Sequence, residues 1–346
     1  MLVKMIKEHV NIALIGAGYW GQNYLRVFNQ LPGARLKWCC DTNQRRLAEL
    51  AAAYPTVRFC TEVQKVLQDP DVDAVVIASP PTSHYCLGRE ALAAGKHLLL
   101  EKPFAFSVNE VNKLWADAEN SGLTLMAAHI MEYNPAVQKI KQYLQEKKFG
   151  ELYYLYFSRS NLGVVRSDVN VVWDLAVHDL SVIRYLLEAN PVQVSATGVG
   201  YLQPGISDVV FITLIFPGNI LGQIHASWLE ACKTRQGVLV GDRQTIIFDD
   251  LQPRDKIRIY NRCISPQHAP GPGNESAYRF VPTYGDIILP AVADAEPLRA
   301  QCLHFLECIT DKKLPLTGKK DTLWVTKVAE LAQQSLDAGG EPLKFE

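Results

Sequence analysis

The sequence predicts an α/β domain on a parallel sheet, followed by an α+β domain built on a mostly antiparallel sheet. Three observations carry this. Short apolar runs alternate with helix-spaced segments as far as residue 128. From Glu151 onward strand-like runs follow one another with tight turns between them. And 346 residues are enough for two domains rather than one.

The first run, VNIALIGAG (10–18), is a β-branched strand ending in glycine, and YWGQNYLRVFNQL behind it has apolar residues at helical spacing. The turn GAGYWG places Gly16, Gly18 and Gly21 in the order G-x-G-x-x-G. The first allows a sharp turn, the second lets backbone approach a pyrophosphate, and the third allows close helix packing. The helix start would offer its unpaired N–H groups to the phosphates. The next run, ARLKWCC, ends at Asp41, where an acidic side chain would accept hydrogen bonds from the adenosine ribose. A second reading makes Asp41 a cap for the helix beginning near Asn43. Strand, glycines and spacing together favour the ribose, and a carboxylate there repels a 2′-phosphate, so NAD is expected over NADP. These features predict a Rossmann domain over 1–128.

Strand and helix keep alternating through RFCTEVQKVLQ, VDAVVIASP, TSHYCLGREALAAG and KHLLLEKP. Ligands of such a sheet sit at the carboxyl ends of its strands. Ser79-Pro80-Pro81-Thr82 and Glu101-Lys102-Pro103 both fall at such ends, which puts Lys102 at the rim rather than in the core. Pro103 removes a backbone donor and restricts Lys102 to extended geometry. A helix over SVNEVNKLWADAENSG, a strand over LTLMAAHI and a helix starting at Pro135 follow.

The second domain is expected over 129–319, with 320–346 packing back on the first. Its strands are ELYYLYFSRS, VQVSATGVGYL, DVVFITLIF, ILGQIHASWL, RQGVLVG, QTIIFDD and KIRIYN, and SPQHAPGPGNES (265–276) reads as a turn-rich loop. A helix over 173–187 interrupts the strands and carries Asp174-x-x-x-His178, two polar groups on one face. Taken alone, that spacing is met more often by a capping aspartate and a satisfied surface histidine. Zinc would need a third and a fourth ligand that the sequence does not offer, so no metal is expected.

Composition excludes several classes of function. With 35 Lys and Arg against 36 Asp and Glu, no basic excess points to nucleic acid or to an anionic membrane. VVFITLIF is the longest uncharged apolar stretch and is far too short to span a bilayer. MLVKMIKEHV lacks the apolar block of a signal peptide, and the 8 cysteines lack CxxC pairing, so a cytoplasmic location with reduced thiols is expected.

GAGYWG, Asp41, Glu101-Lys102-Pro103 and Trp173-Asp174-Leu175-x-x-His178-Asp179, in this order, resemble the glucose-fructose oxidoreductase, inositol dehydrogenase and MocA family over essentially the whole chain. The texture of GYWGQN, YNPAVQKIKQYL and NLGVVRSDVNVVWDLAVHDLSVIRYLL resembles its UDP-N-acetylglucosaminuronate 3-dehydrogenase branch. The resemblance implies hydride transfer between a sugar secondary alcohol and nicotinamide. Lys102 matches the lysine that contacts the reacting hydroxyl, His178 the histidine that exchanges its proton, and Asp174 the aspartate that orients substrate. The expected cofactor contacts are Gly16, Gly18, Tyr19, Trp20, Gly21, Asp41, Ser79, Pro80, His84, Glu101 and Lys102. Those to substrate are Lys102, Asn134, Arg166, Asp174 and His178.

Family members often carry an arginine near Glu132, and this chain does not. A nucleotide sugar needs cations for its diphosphate, for which Arg159, Arg166, Lys233 and Arg235 are the candidates. The alternatives are an inositol or free-sugar dehydrogenase, a ketosugar reductase, or a dinucleotide-binding regulator. Retention of Lys102, Asp174 and His178 together argues against the regulator. The expected partner is a small sugar or nucleotide sugar, and a homodimer or homotetramer is expected through the C-terminal sheet.

Overall fold

The computed structural model describes residues 9–146, 148–270 and 276–346. Its chain divides into two compact units, residues 1–133 with 295–330 and residues 134–294 with 331–346. Among the described residues no helix is long and apolar enough to cross a membrane.

The first unit opens β1 (Val10–Ile15), α1 (Tyr19–Gln30), β2 (Ala34–Cys40), α2 (Gln44–Ala53), β3 (Arg58–Cys60), α3 (Val63–Leu67) and β4 (Ala74–Ile77). It continues with α4 (His84–Ala93), β5 (His97–Leu100), α5 (Val108–Asn120) and β6 (Leu125–Ala127). The six strands lie in the order β3-β2-β1-β4-β5-β6, and every pair is parallel. Connection order reverses between β1 and β4, the point of such sheets at which ligands bind beyond the carboxyl ends of the strands.

The period of two along β1 explains why both faces need cover. Ile12 and Leu14 pack in one core with Tyr24 and Phe28, while Ala13 and Ile15 pack in the other with Leu114 and Trp115.

In the second unit α6 (Pro135–Gln145) and β7 (Leu152–Ser160) lead to a π-turn, Val172–Ala176, which runs into α7 (Val177–Leu187). The strands β8 (Gln193–Val199), β9 (Val209–Ile215), β10 (Leu221–Ser227), β11 (Thr234–Gly241), β12 (Thr245–Asp249), β13 (Ile257–Pro270) and β14 (Ser276–Ile288) follow. With β15 (Leu343–Lys344) they form a nine-stranded sheet, β14-β13-β12-β11-β7-β10-β9-β8-β15. Its pairs are antiparallel except β7 with β10. One face buries Leu155, Phe157, Ile212 and Ile224, and the other leaves Tyr154, Tyr156, Phe211 and Leu221 exposed.

Three expectations change. The C-terminal return is not 320–346. α8 (Pro297–Thr310) puts Leu298, Cys302, Phe305 and Leu306 into the core of the first unit, and α9 (Lys319–Asp337) follows it. Residues 331–346 belong to the second unit, where the Ser335 hydroxyl accepts the Ala196 N–H and β15 pairs with β8. Residues 265–270 and Ser276 are ladder strand rather than loop, because cross-strand pairing overrides their turn-prone composition; residues 271–275 lie outside the described residues. The helix expected over 173–187 begins as the π-turn, so Asp174 stands in a widened turn and His178 in regular helix.

Candidate active site

Gly16 has φ +93°, and a Cβ there would lie 2.6 Å from the Ala78 carbonyl and the Ser79 nitrogen, so the turn needs glycine to fit against the end of β4. A Cβ on Gly21 would lie 2.0 Å from the Gly16 oxygen, which makes that glycine the packing contact between α1 and the turn. Gly18 is different. Its φ is −63°, and a Cβ on it would meet nothing within 4 Å, so neither backbone nor packing asks for glycine there. It caps α1 with no side-chain cap and no acidic residue in the first turn, leaving a cradle of backbone N–H groups beside open space. That arrangement fits a dinucleotide pyrophosphate. Tyr19 stands exposed at the start of the same helix.

Asp41 follows β2 directly. One carboxylate oxygen accepts the Ala17 N–H at 2.7 Å and the other accepts the Asn43 N–H at 2.8 Å. Asn43, not Asp41, caps α2, through its own side chain and the Arg46 N–H. The Arg46 guanidinium lies 3.1 and 3.3 Å from the two Asp41 oxygens. The Arg46 side chain that covers these oxygens is 37% exposed. The sequence offered a signal for Arg46, a basic residue five positions after the acid on the same βα turn.

Glu101 is buried at the end of β5. One of its oxygens accepts from the Trp20 indole N–H and, at 2.7 Å, from the Tyr24 hydroxyl; the other accepts the Lys102 N–H at 2.9 Å. The Tyr24 oxygen in turn accepts from Gln301 of α8 at 3.2 Å. Burial pushes the Glu101 carboxyl above the usual carboxylate range, and the Tyr24 hydrogen bond and the Lys102 charge pull it back. Glu101 thus ties the lysine-bearing strand end to the first turns of α1, which a sequence without contacts could not show. Lys102 is half-buried, and its bond to Pro103 is cis.

Ser79 and Pro80 follow β4: the Ser79 and Ser83 hydroxyls lie 2.6 Å apart, and the Ser83 hydroxyl donates to the Pro80 carbonyl at 2.7 Å. His84, an expected cofactor contact, is 1% exposed with both ring nitrogens on backbone carbonyls, Nδ1 at 2.8 Å from Pro103 and Nε2 at 2.9 Å from Ser79.

In the second unit Asp174 and His178 are both half-buried. The Trp228 indole N–H donates to Asp174 Oδ2 at 3.1 Å, and the His178 carbonyl accepts the Ser181 hydroxyl at 2.7 Å. Arg166 makes a two-point ion pair with Asp168 at 2.6 and 2.9 Å; this pair and the field of Asp174 both favour its charged form.

The Asn134 amide accepts the Ala136 N–H at 2.9 Å as the cap of α6 and donates to Asp250 at 2.8 Å. Arg159 is buried against Asp179 at 2.7 and 3.0 Å. Arg235 lies 3.7 Å from Asp250, and Lys233 is exposed. No cluster suited to a metal ion occurs among the described residues.

Residues 10–129 match an oxidoreductase family with an NAD-binding Rossmann fold, and residues 137–247 match the GFO/IDH/MocA C-terminal domain. The chain belongs to the GFO/IDH/MocA oxidoreductases. A UDP-N-acetylglucosamine 3-dehydrogenase of Acidithiobacillus ferrooxidans is 34% identical over 55% of this chain and 58% of its own length. A solved structure bearing that name, from the same organism, superposes with TM-score 0.78 at 26% identity, over 96% of this chain and 99% of that one. A scyllo-inositol 2-dehydrogenase (NAD(+)) of Bacillus subtilis is 24% identical over 96% of each chain. In this GFO/IDH/MocA chain the glycine turn, Asp41 and the Glu101-Lys102-Pro103 step follow the carboxyl ends of β1, β2 and β5 in the first unit.

Proposed function

We propose that the chain is an NAD-dependent sugar dehydrogenase that oxidises a secondary alcohol, the C3 hydroxyl of a nucleotide-linked aminosugar. The observation that carries this reading is the link from Lys102 through Glu101 to Trp20 and Tyr24. It fixes the lysine-bearing strand end against the helix whose start forms the phosphate cradle. Relatives that act on UDP-N-acetylglucosamine and on scyllo-inositol support an alcohol substrate, and the nucleotide sugar is favoured by the 34% identity of the former.

In this reading Gly16, Gly18 and Gly21 hold the dinucleotide phosphates and Asp41 takes the adenosine ribose, which favours NAD over NADP. Bound nicotinamide supplies the carbon that accepts the hydride. Lys102 donates a hydrogen bond to the substrate hydroxyl oxygen and favours its anionic form. His178 takes the hydroxyl proton, a task suited to a side chain that titrates near neutrality. Asp174, held by Trp228, fixes the sugar, and Arg166 serves the diphosphate. A second copy covers the exposed sheet face around Tyr154, Tyr156 and Leu221, giving a homodimer or homotetramer that sedimentation would reveal.

The test is nicotinamide absorbance with NAD and, separately, UDP-N-acetylglucosamine, its uronic acid, scyllo-inositol and glucose. Reduction with the UDP-aminosugar is expected. Reduction with inositol alone would move the substrate, and none with any compound while NADH still binds would remove the enzymatic reading. Lys102→Met and His178→Asn are each expected to lower kcat by on the order of 10²–10⁴.

A further inference from the structure

His84 is the first residue of α4, and its ring lies between the ends of two strands. Nδ1 is 2.8 Å from the Pro103 carbonyl oxygen and Nε2 is 2.9 Å from the Ser79 carbonyl oxygen. Both oxygens are acceptors only. A neutral imidazole has one N–H, so one of these contacts would set a ring lone pair against a carbonyl lone pair at hydrogen-bond distance. With the side chain 1% exposed, the ring is shielded from bulk water. Only the doubly protonated ring satisfies both carbonyls.

We propose that His84 is an imidazolium clamp that joins the Ser79 turn after β4 to the Lys102-Pro103 step after β5, and so acts as a positioning residue for Lys102. Carbonyl oxygens on both sides offset part of the cost of burying the charge. The buried Glu101 and the half-buried Lys102 are the charged side chains of the strand end it grips. The two loops come from different strands: the Glu101 N–H still donates to the Ile77 carbonyl at 3.0 Å, and beyond that rung the Ser79 and Pro103 carbonyls meet on the ring. The ring holds them in step at the place where the β4 turn and the lysine must keep a fixed separation. This positioning role rests on the proposed use of Lys102; the charge state does not.

The decisive measurement is ¹⁵N NMR of the full chain labelled at histidine, with the His84 signals assigned by their loss in His84→Gln. At a pH about two units above the ordinary imidazole value, both His84 nitrogens are expected to carry protons. One bare nitrogen would overturn the proposal. For the positioning role NADH serves as the probe. His84→Gln keeps N–H donors without the charge, so it is expected to bind NADH on the order of tenfold more weakly at an unchanged melting temperature. Unchanged NADH affinity would remove the positioning role. Failure of the parent to bind NADH at all would sink the dehydrogenase reading and leave the NMR result standing.

Discussion

The Tyr24 hydroxyl donates to the buried Glu101 carboxylate at 2.7 Å, across the interface between α1 and the end of β5. Tyr24→Phe removes that donor and leaves a buried anion less satisfied. Stability should fall by about 1–3 kcal/mol, read as a shift in urea midpoint without a change in m. NADH affinity should fall with it, because the same bond holds the phosphate-binding helix against the strand end. A variant as stable as the parent would show that Trp20 and the Lys102 N–H suffice.

The three glycines of the turn should separate. Gly18→Ala meets open space, so it should keep the parent's melting temperature and lose NADH binding. Gly21→Ala drives a methyl to 2.0 Å from the Gly16 oxygen and should lose both. Gly18→Ala with intact NADH affinity would place the phosphates elsewhere.

Cofactor choice should turn on Asp41 and Arg46 together. Asp41→Ser removes the anion and releases the Arg46 guanidinium 3.1 Å away, which can then meet a 2′-phosphate. The NAD-to-NADP ratio of kcat/KM should fall by on the order of tenfold or more. Asp41→Ser with Arg46→Ala should lose the gain in NADP. Steady-state rates with both cofactors decide.

His129 gives a pH dependence of stability. It is fully buried, and burial pushes its imidazole down from 6.5 to about 4. The contact with Glu132 is 3.5 Å, too long for a hydrogen bond. The folded state therefore holds the ring neutral, while the unfolded chain protonates it below 6.5. Its contribution is present above that value and is lost as pH falls toward about 4, for a total of about 3 kcal/mol. Urea unfolding at several pH values should show this slope, and His129→Gln should flatten it.

Asp179→Ala leaves the buried Arg159 guanidinium without its carboxylate. A cost of about 3–5 kcal/mol is expected, visible in thermal or urea unfolding. Loss of activity in that variant would report on folding rather than on chemistry.

Much of the first unit was legible because its signals are local. Alternating strands and helices, GAGYWG and the acid after β2 are each set by a few neighbours in sequence. What the sequence could not show is long-range. The Asn134 amide donates to Asp250, distant in the chain. The His84 ring lies against two carbonyls from other segments. Glu101 was expected only as a cofactor contact, and its bonds to Trp20 and Tyr24 were not legible because those partners lie far off in the chain, on α1. The strand at 265–270 was hidden by Ser and Pro content that pairing with β14 overrides.

In the large sheet β7 pairs parallel with β10, matching Tyr154 with Leu221. Closure of this pair encloses the whole segment that carries Asp174 and His178. Such a closure is entropically expensive and comes late in folding, after the enclosed helix and the β8–β9 and β9–β10 hairpins have shortened the loop. The polar pair is thus threaded through the middle of the sheet's assembly rather than attached to a finished scaffold. Substitutions that slow formation of α7 should therefore slow refolding of the entire second unit.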